Sequence, residues 1–204
     1  MLGVPILNTV ARIILQAGRF VWKGDREKSR TMQETALSLN RTERFLQEHG
    51  ARSNPAALEL VRQVDRLRAR WTMFVEDHVR NGCEPLFAER GIHFNRMQQR
   101  VQVFQEDGSV VRIDIMAMSG DVVILMEVES TLRVEDVEKH MVCLQRFREL
   151  FPVYADCQVM GAVSGVLTDE DAELLARDQG MFVILHAGDK VWLANDKEFV
   201  PRRW

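Results

Sequence analysis

Apolar residues recur at helical spacing over the first 90 residues, and from about residue 100 the period shortens to that of strands. Ile6, Leu7, Val10, Ile13, Ile14, Ala17 and Val21 form one stripe of a helix over 6–23. Asn8, Arg12, Gln16, Arg19 and Lys23 lie opposite. The stripe suits either an interfacial membrane helix with a basic face or a helix docked on its own body or on a partner subunit. Residues 24–31 (GDREKSRT) read as a charged link containing a breaker. A second helix is predicted over roughly 31–49, stopping before Gly50, and Ser53-Asn54-Pro55 marks the next start.

From Pro55 the spacing turns heptad-like. Leu60, Val64, Leu67, Trp71, Phe74 and His78 step by four and three in alternation, a seam that fits either a short coiled coil or the core helix of one domain. Arg62, Arg66 and Arg70 form a ridge at i, i+4 and i+8, which could track phosphates or simply face water. Past Trp71 a second face takes over, with Val75, Val79, Cys83 and Leu86 and with Glu76 beside it; Gly91 ends the helix.

The strands follow. Val101 and Val103 predict a short one, and Glu106-Asp107-Gly108-Ser109 carries the Asp-Gly turn signal. Residues 110–118 (VVRIDIMAM) and 122–129 (VVILMEVE) are nearly all apolar, as strands buried on both faces are. An amphipathic helix is predicted over 133–150, with Val134, Val137, Met141, Leu144 and Phe147 on its face and Pro152 closing it. A strand at Gln158–Val163 follows. Thr168 with Asp171 resembles a capping box opening a helix that Gly180 terminates, and strands at Met181–Leu185 and Lys190–Ala194 complete the pattern. Hairpin-paired strands first, then strands alternating with helices, predict an α/β sandwich with a mixed sheet.

Composition changes this picture in two places. The formal net charge is −3 over 204 residues, yet residues 1–104 hold 17 basic against 11 acidic side chains, and residues 105–204 hold 10 against 19. A basic half and an acidic half suggest two tasks, with any phosphate brought in by the basic one. Cys83, Cys143 and Cys157 are scattered, with no paired spacing for zinc or a disulfide framework, which suits a reducing cytoplasm. Arg12 and Arg19 interrupt the apolar start, so an ordinary spanning helix is not expected there, and a cytoplasmic location is.

Two acids stand where acids are costly: Asp114 inside VVRIDIMAM and Glu127 inside VVILMEVE. Each must be paired, protonated or holding a metal. Strand alternation puts Glu127 and Glu129 on one face, and the hairpin can set Asp114 beside Glu127. Three such carboxylates would suit Mg²⁺ or Mn²⁺. Alternatively, Glu129 sits in water at a strand end and Asp114 pairs with Arg112 or a helix arginine.

An Asp on one strand, a short turn, then Glu-x-Lys on the next, with a helix before and after, is the pattern of the PD-(D/E)XK nuclease superfamily, which this sequence resembles with Glu129 at the lysine position. The similarity runs through IDIMAMSGDVVILMEVESTLRVEDVEKHMVCLQRFRELFP, VMGAV, QGMFVIL and FVPRRW, roughly residues 71–204. It is closest to a prokaryotic branch with a helical, often coiled-coil N-terminal region. Members of that branch show an Ile-Asp-Ile-Leu-Ala strand, a Glu-Val-Lys strand and a Phe-x-Pro-Arg-x-Trp-like tail. The resemblance implies a restriction endonuclease-like sandwich with a central mixed sheet flanked by helices, preceded by an α-helical N-terminal extension. It implies a Mg²⁺- or Mn²⁺-dependent nuclease in which Asp114, Glu127 and Glu76 bind metal and Glu129 joins them in catalysis. Glu129 holds the place of the usual lysine, as in some restriction endonucleases that cut DNA, and Lys139 on the next helix is a candidate substitute cation.

The expected organisation is a helical extension over 1–54, a heptad-like helix over 55–90 and a nuclease-fold core over 91–204 whose first helix is about 71–90. Two functions remain open. One is a metal-dependent nuclease that binds DNA or another nucleic acid through Arg62, Arg66 and Arg70. The other is a catalytically inactive scaffold or binding module of the same fold. Either would form a homodimer through the N-terminal helices, with membrane contact through residues 6–23 as a further expectation.

Overall fold

The computed structural model describes residues 25–48, 55–188 and 190–204. The helix expected over 6–23 lies outside these residues. Among the described residues no helix is long and apolar enough to cross a membrane. The chain divides into two compact units. One runs up to Phe74 and takes in Ala187 and Gly188; the other comprises Val75–His186 and Lys190–Trp204.

In the first unit, helix α1 spans Asp25–Glu48. It therefore includes most of the segment read as a link over 24–31. Apart from Gly24 that segment contains no strong breaker, and its Arg, Glu and Lys residues are good helix formers, with Arg30 paired to Glu34 one turn on at 2.8 Å. Met32, Ala36 and Leu39 are buried at helical spacing. Thr35 and Thr42 are buried beside them, and their hydroxyls donate to the carbonyls of Thr31 and Ser38 one turn back. Helix α2 spans Pro55–Ala88, with proline in the first turn where its missing N–H costs nothing. Val64 and Trp71 of the seam are buried within the chain, whereas Phe74 is exposed. An ion pair between Arg68 and Glu43 joins α2 to α1.

The second unit begins in the later turns of α2. Val75, Val79, Cys83 and Phe87 are buried, as their i, i+4 spacing requires. Gly91 at φ +76° closes the helix: its N–H donates to Ala88 and that of Ile92 to Phe87. Then come β1 (Arg96–Phe104), β2 (Val110–Ser119), β3 (Val122–Leu132), α3 (Val134–Leu150), β4 (Gln158–Thr168), α4 (Glu170–Asp178), β5 (Phe182–Ala187) and β6 (Lys190–Leu193). One six-stranded sheet holds the strands in sequence order. β1, β2 and β3 are joined antiparallel, while β3, β4 and β5 are parallel and need the crossover helices α3 and α4. This is the mixed-sheet α/β architecture the period change predicts.

Among the strands and caps, several boundaries also differ from the sequence expectation. β1 extends well before Val101 because its polar residues pair with the apolar β2, and β4 runs to Thr168 rather than Val163, in register with β3 as far as Leu132. Consequently Thr168 is a strand residue and not a helix cap; Asp169 takes the cap position, with Glu170, Asp171 and Glu173 in the first turn where the helix dipole favours acids. Leu125, Val163, Val137, Leu144, Phe147 and Met181 pack between the sheet and α3 and α4. Gly161 allows that approach, since a Cβ there would stand 2.6 Å from Leu144. On the opposite face Phe87 of α2 meets Phe182 edge-on at 5.0 Å.

Candidate active site

β2 and β3 pair from Ser119 opposite Val122 to Ile115 opposite Met126. Met116, Met118, Val123 and Leu125 face the helix-covered core, so by alternation Asp114 and Glu127 open onto that same face one step further along. There the Asp114 side chain extends the ladder, its Oδ2 accepting from the Val128 N–H at 2.8 Å. Burial raises the Asp114 carboxyl to about 6, partly offset by that N–H, and the charge of Glu76 adds to the rise. Glu127 is pushed well above the usual carboxylate range, first by burial, then by repulsion from Asp114, Glu129 and Asp136; Lys139 opposes this. Asp114, Glu127 and Glu129 thus share one electrostatic neighbourhood.

Glu76, from α2, lies close enough to perturb Asp114, and its carboxylate forms an ion pair. Glu76 is buried, and its Oε2 stands 2.6 Å from Nε of Arg100. Arg100 also reaches Asp77 at 3.2 Å. Gln99 pairs with Ile115 and Val101 with Ile113, which puts Arg100 opposite Asp114. Its φ of 53° is the one positive value at a non-glycine residue among those described. Burial raises the Glu76 carboxyl and the Arg100 charge pulls it back. Asp114 therefore has neither of the partners considered for it, Arg112 or a helix arginine, as a hydrogen-bond donor; the nearby arginines of β1 and β2 act on it only through charge.

Two further residues bear on the site. His140 of α3 is buried, with Nε2 at 3.1 Å from the Leu125 carbonyl and Nδ1 at 3.8 Å from Glu127 Oε2. Burial lowers it to about 4, so the ring is neutral at pH 7; Nε2–H donates to Leu125 and Nδ1 presents a lone pair towards Glu127. Lys139 is largely exposed and pairs with Asp136 at 3.6 Å. Among the described residues no group of three His, Cys, Asp or Glu side chains converges as a metal-holding set. Arg62, Arg66 and Arg70 are exposed on the part of α2 that belongs to the first unit, and Arg62 pairs with Glu59 at 3.6 Å.

Sequence reasoning missed Arg100 and His140. His140 had a usable signal, because it continues the buried stripe of Val137, Leu144 and Phe147 at helical spacing. Arg100 had none; it lies in a polar run, RMQQR, with no period of its own.

No family model and no curated protein matches the chain. Among solved structures it is similar to the complex of EndoMS with double-stranded DNA (11% identity over 50% of this chain, TM-score 0.33). It is also similar to a repair endonuclease from Pyrococcus abyssi (14% over 44%, TM-score 0.28) and to a protein from Vibrio cholerae (14% over 65%, TM-score 0.40). The chain spans 41%, 38% and 32% of the lengths of those three.

Proposed function

We propose that this chain is a Mg²⁺- or Mn²⁺-dependent nuclease of the PD-(D/E)XK type, hydrolysing phosphodiester bonds in nucleic acid. What supports it is the side-by-side placement of two half-buried carboxylates, Asp114 and Glu127, whose mutual repulsion raises Glu127 while burial raises both. A divalent cation fits such a pair, because Mg²⁺ keeps several waters and takes one or two protein carboxylates together with substrate phosphate. Asp114 and Glu127 would hold the ion, which when bound would supply Lewis-acid charge and a water of lowered pKa. Glu76 orients Arg100, and the Arg100 charge offsets the acids around Asp114. Glu129, on the strand face of Glu127, would position the attacking water, as the usual lysine at this place does.

The test is cleavage of plasmid, single-stranded DNA and RNA by the whole chain. Cleavage is expected with Mg²⁺ or Mn²⁺ and not in EDTA, and Asp114→Asn and Glu127→Gln should each abolish it. A second reading, a catalytically inactive scaffold of the same fold, is favoured by the acid Glu129 at the lysine position. No cleavage of any of the three substrates would select it.

A further inference from the structure

A cleft of about 280 Å³ opens between α3 and the ends of β2 and β3. Glu127 lies in its wall, and Arg112, Lys139 and Arg146 line it, with Glu149 3.5 Å from Arg146 and Asp136 3.6 Å from Lys139, in a half of the chain whose acids outnumber its bases. Val142 and Leu150 add apolar surface, and Val142 is more than half exposed. Arg146 is braced by a 2.6 Å hydrogen bond to Gln105 from the β1–β2 turn. Lys139 is tethered to Asp136. The cations come from β2 and from positions two turns apart on α3, and they line one space.

We propose that this cleft is the seat of one nucleotide of a single-stranded nucleic acid, its flanking phosphates on Arg112, Lys139 and Arg146 and its sugar and base against Val142 and Leu150. The assignment rests on the nuclease reading and names its substrate class. Three points favour a single strand. The volume suits one nucleotide and not a duplex. A base seated against Val142 and Leu150 has to leave a duplex stack first, at a cost that a single strand does not carry. The apolar wall offers contact without hydrogen-bonding groups that would select a base. Phosphate affinity is thereby placed in the acidic half and taken away from the Arg62, Arg66 and Arg70 ridge.

The experiment is fluorescence anisotropy of a labelled 12-residue oligothymidine and of a hairpin duplex, with the whole chain, in EDTA and in Ca²⁺. The unmutated protein should bind the single strand more tightly than the duplex. Replacing Arg112, Lys139 and Arg146 together with Gln should lower the log–log salt slope by roughly 2, about 0.7 for each phosphate that is no longer neutralised. Replacing Arg62, Arg66 and Arg70 with Gln should leave it unchanged. Val142→Glu, an exposed site where folding is not at issue, should also weaken binding. An unchanged slope in the first triple variant, or no binding of the single strand in either buffer, overturns the inference. Cleavage measured alongside separates the two ideas: cleavage with an unchanged slope leaves the nuclease and removes this cleft. Cleft-dependent binding without cleavage in Mg²⁺ or Mn²⁺ does the reverse.

Discussion

Arg100 and Glu76 form an ion pair of 2.6 Å between β1 and α2, and the arginine that makes it holds a φ of 53°. A left-handed conformation at a side chain with a Cβ costs on the order of 1 kcal/mol, so the pair and its surroundings must over-determine it. The pair does two things at once. It neutralises a buried acid, and it keeps a positive charge opposite Asp114.

Arg100→Gln should destabilise the protein by about 1–3 kcal/mol, because Glu76 would stay buried without its cation, while the half-exposed arginine limits the loss. The double variant Glu76→Gln with Arg100→Gln should recover part of that loss. Urea unfolding of the four proteins of the cycle measures the coupling. Strict additivity would show that the pair contributes nothing.

A divalent ion that binds only the folded state stabilises it by mass action, by about 2.7 kcal/mol at a hundredfold excess over Kd. Calorimetry should therefore give a higher Tm in millimolar Mn²⁺ or Mg²⁺ than in EDTA. Glu127→Gln should abolish the difference. The same Tm in both buffers at neutral pH would remove the metal from the site.

Glu129→Lys would replace a repelling carboxylate beside Glu127 with a cation. Metal affinity should fall, while cleavage should be retained or rise. Isothermal titration together with a plasmid assay reads both; a variant with tighter metal binding would contradict the charge argument.

His186 gives a pH dependence away from the acids. Its Nε2 lies 3.0 Å from the Ser164 hydroxyl, which itself donates to the Ile184 carbonyl, so Nε2–H is the donor and Nδ1 is buried without a hydrogen bond. Burial, with repulsion from the stacked His78, lowers it from 6.5 to about 3. Above pH 6.5 the ring is neutral folded or unfolded and has no effect. As pH falls from 6.5 towards 3 the unfolded chain takes up the proton and the folded one does not, so stability is lost. His186→Phe should flatten that loss by about 1–2 kcal/mol between roughly pH 7 and pH 5, as read by unfolding at the two values. Parallel pH profiles for the two proteins would refute it.

Self-association through α2 should respond to Phe74, which is exposed on the seam while Val64 and Trp71 are already covered within the chain. Phe74→Glu is expected to convert a dimer to a monomer in sedimentation velocity. Equal sedimentation of the variant and the unmutated chain would place any interface elsewhere.

Local periodicity was enough to read the strands around Asp114 and Glu127, the turns at Gly108 and Gly120, and the helix that crosses between β3 and β4. Each depends on which residues face inward over a few turns or a few pleats, and alternation alone puts Glu127 and Glu129 on one face. The α1 start and the ends of β1 and β4 were misjudged because ladder partners distant in sequence, or helix-forming charges, extend an element beyond its apolar stretch. A sum of charges over residues 105–204 likewise cannot say that Arg112, Lys139 and Arg146 line one cleft. The pairing of Glu76 with Arg100, and of His140 with the Leu125 carbonyl, was decided only when α2 and α3 closed on the sheet. Such pairs have no local signature: the chain between the partners fixes neither distance nor orientation until burial leaves each polar group one reachable partner.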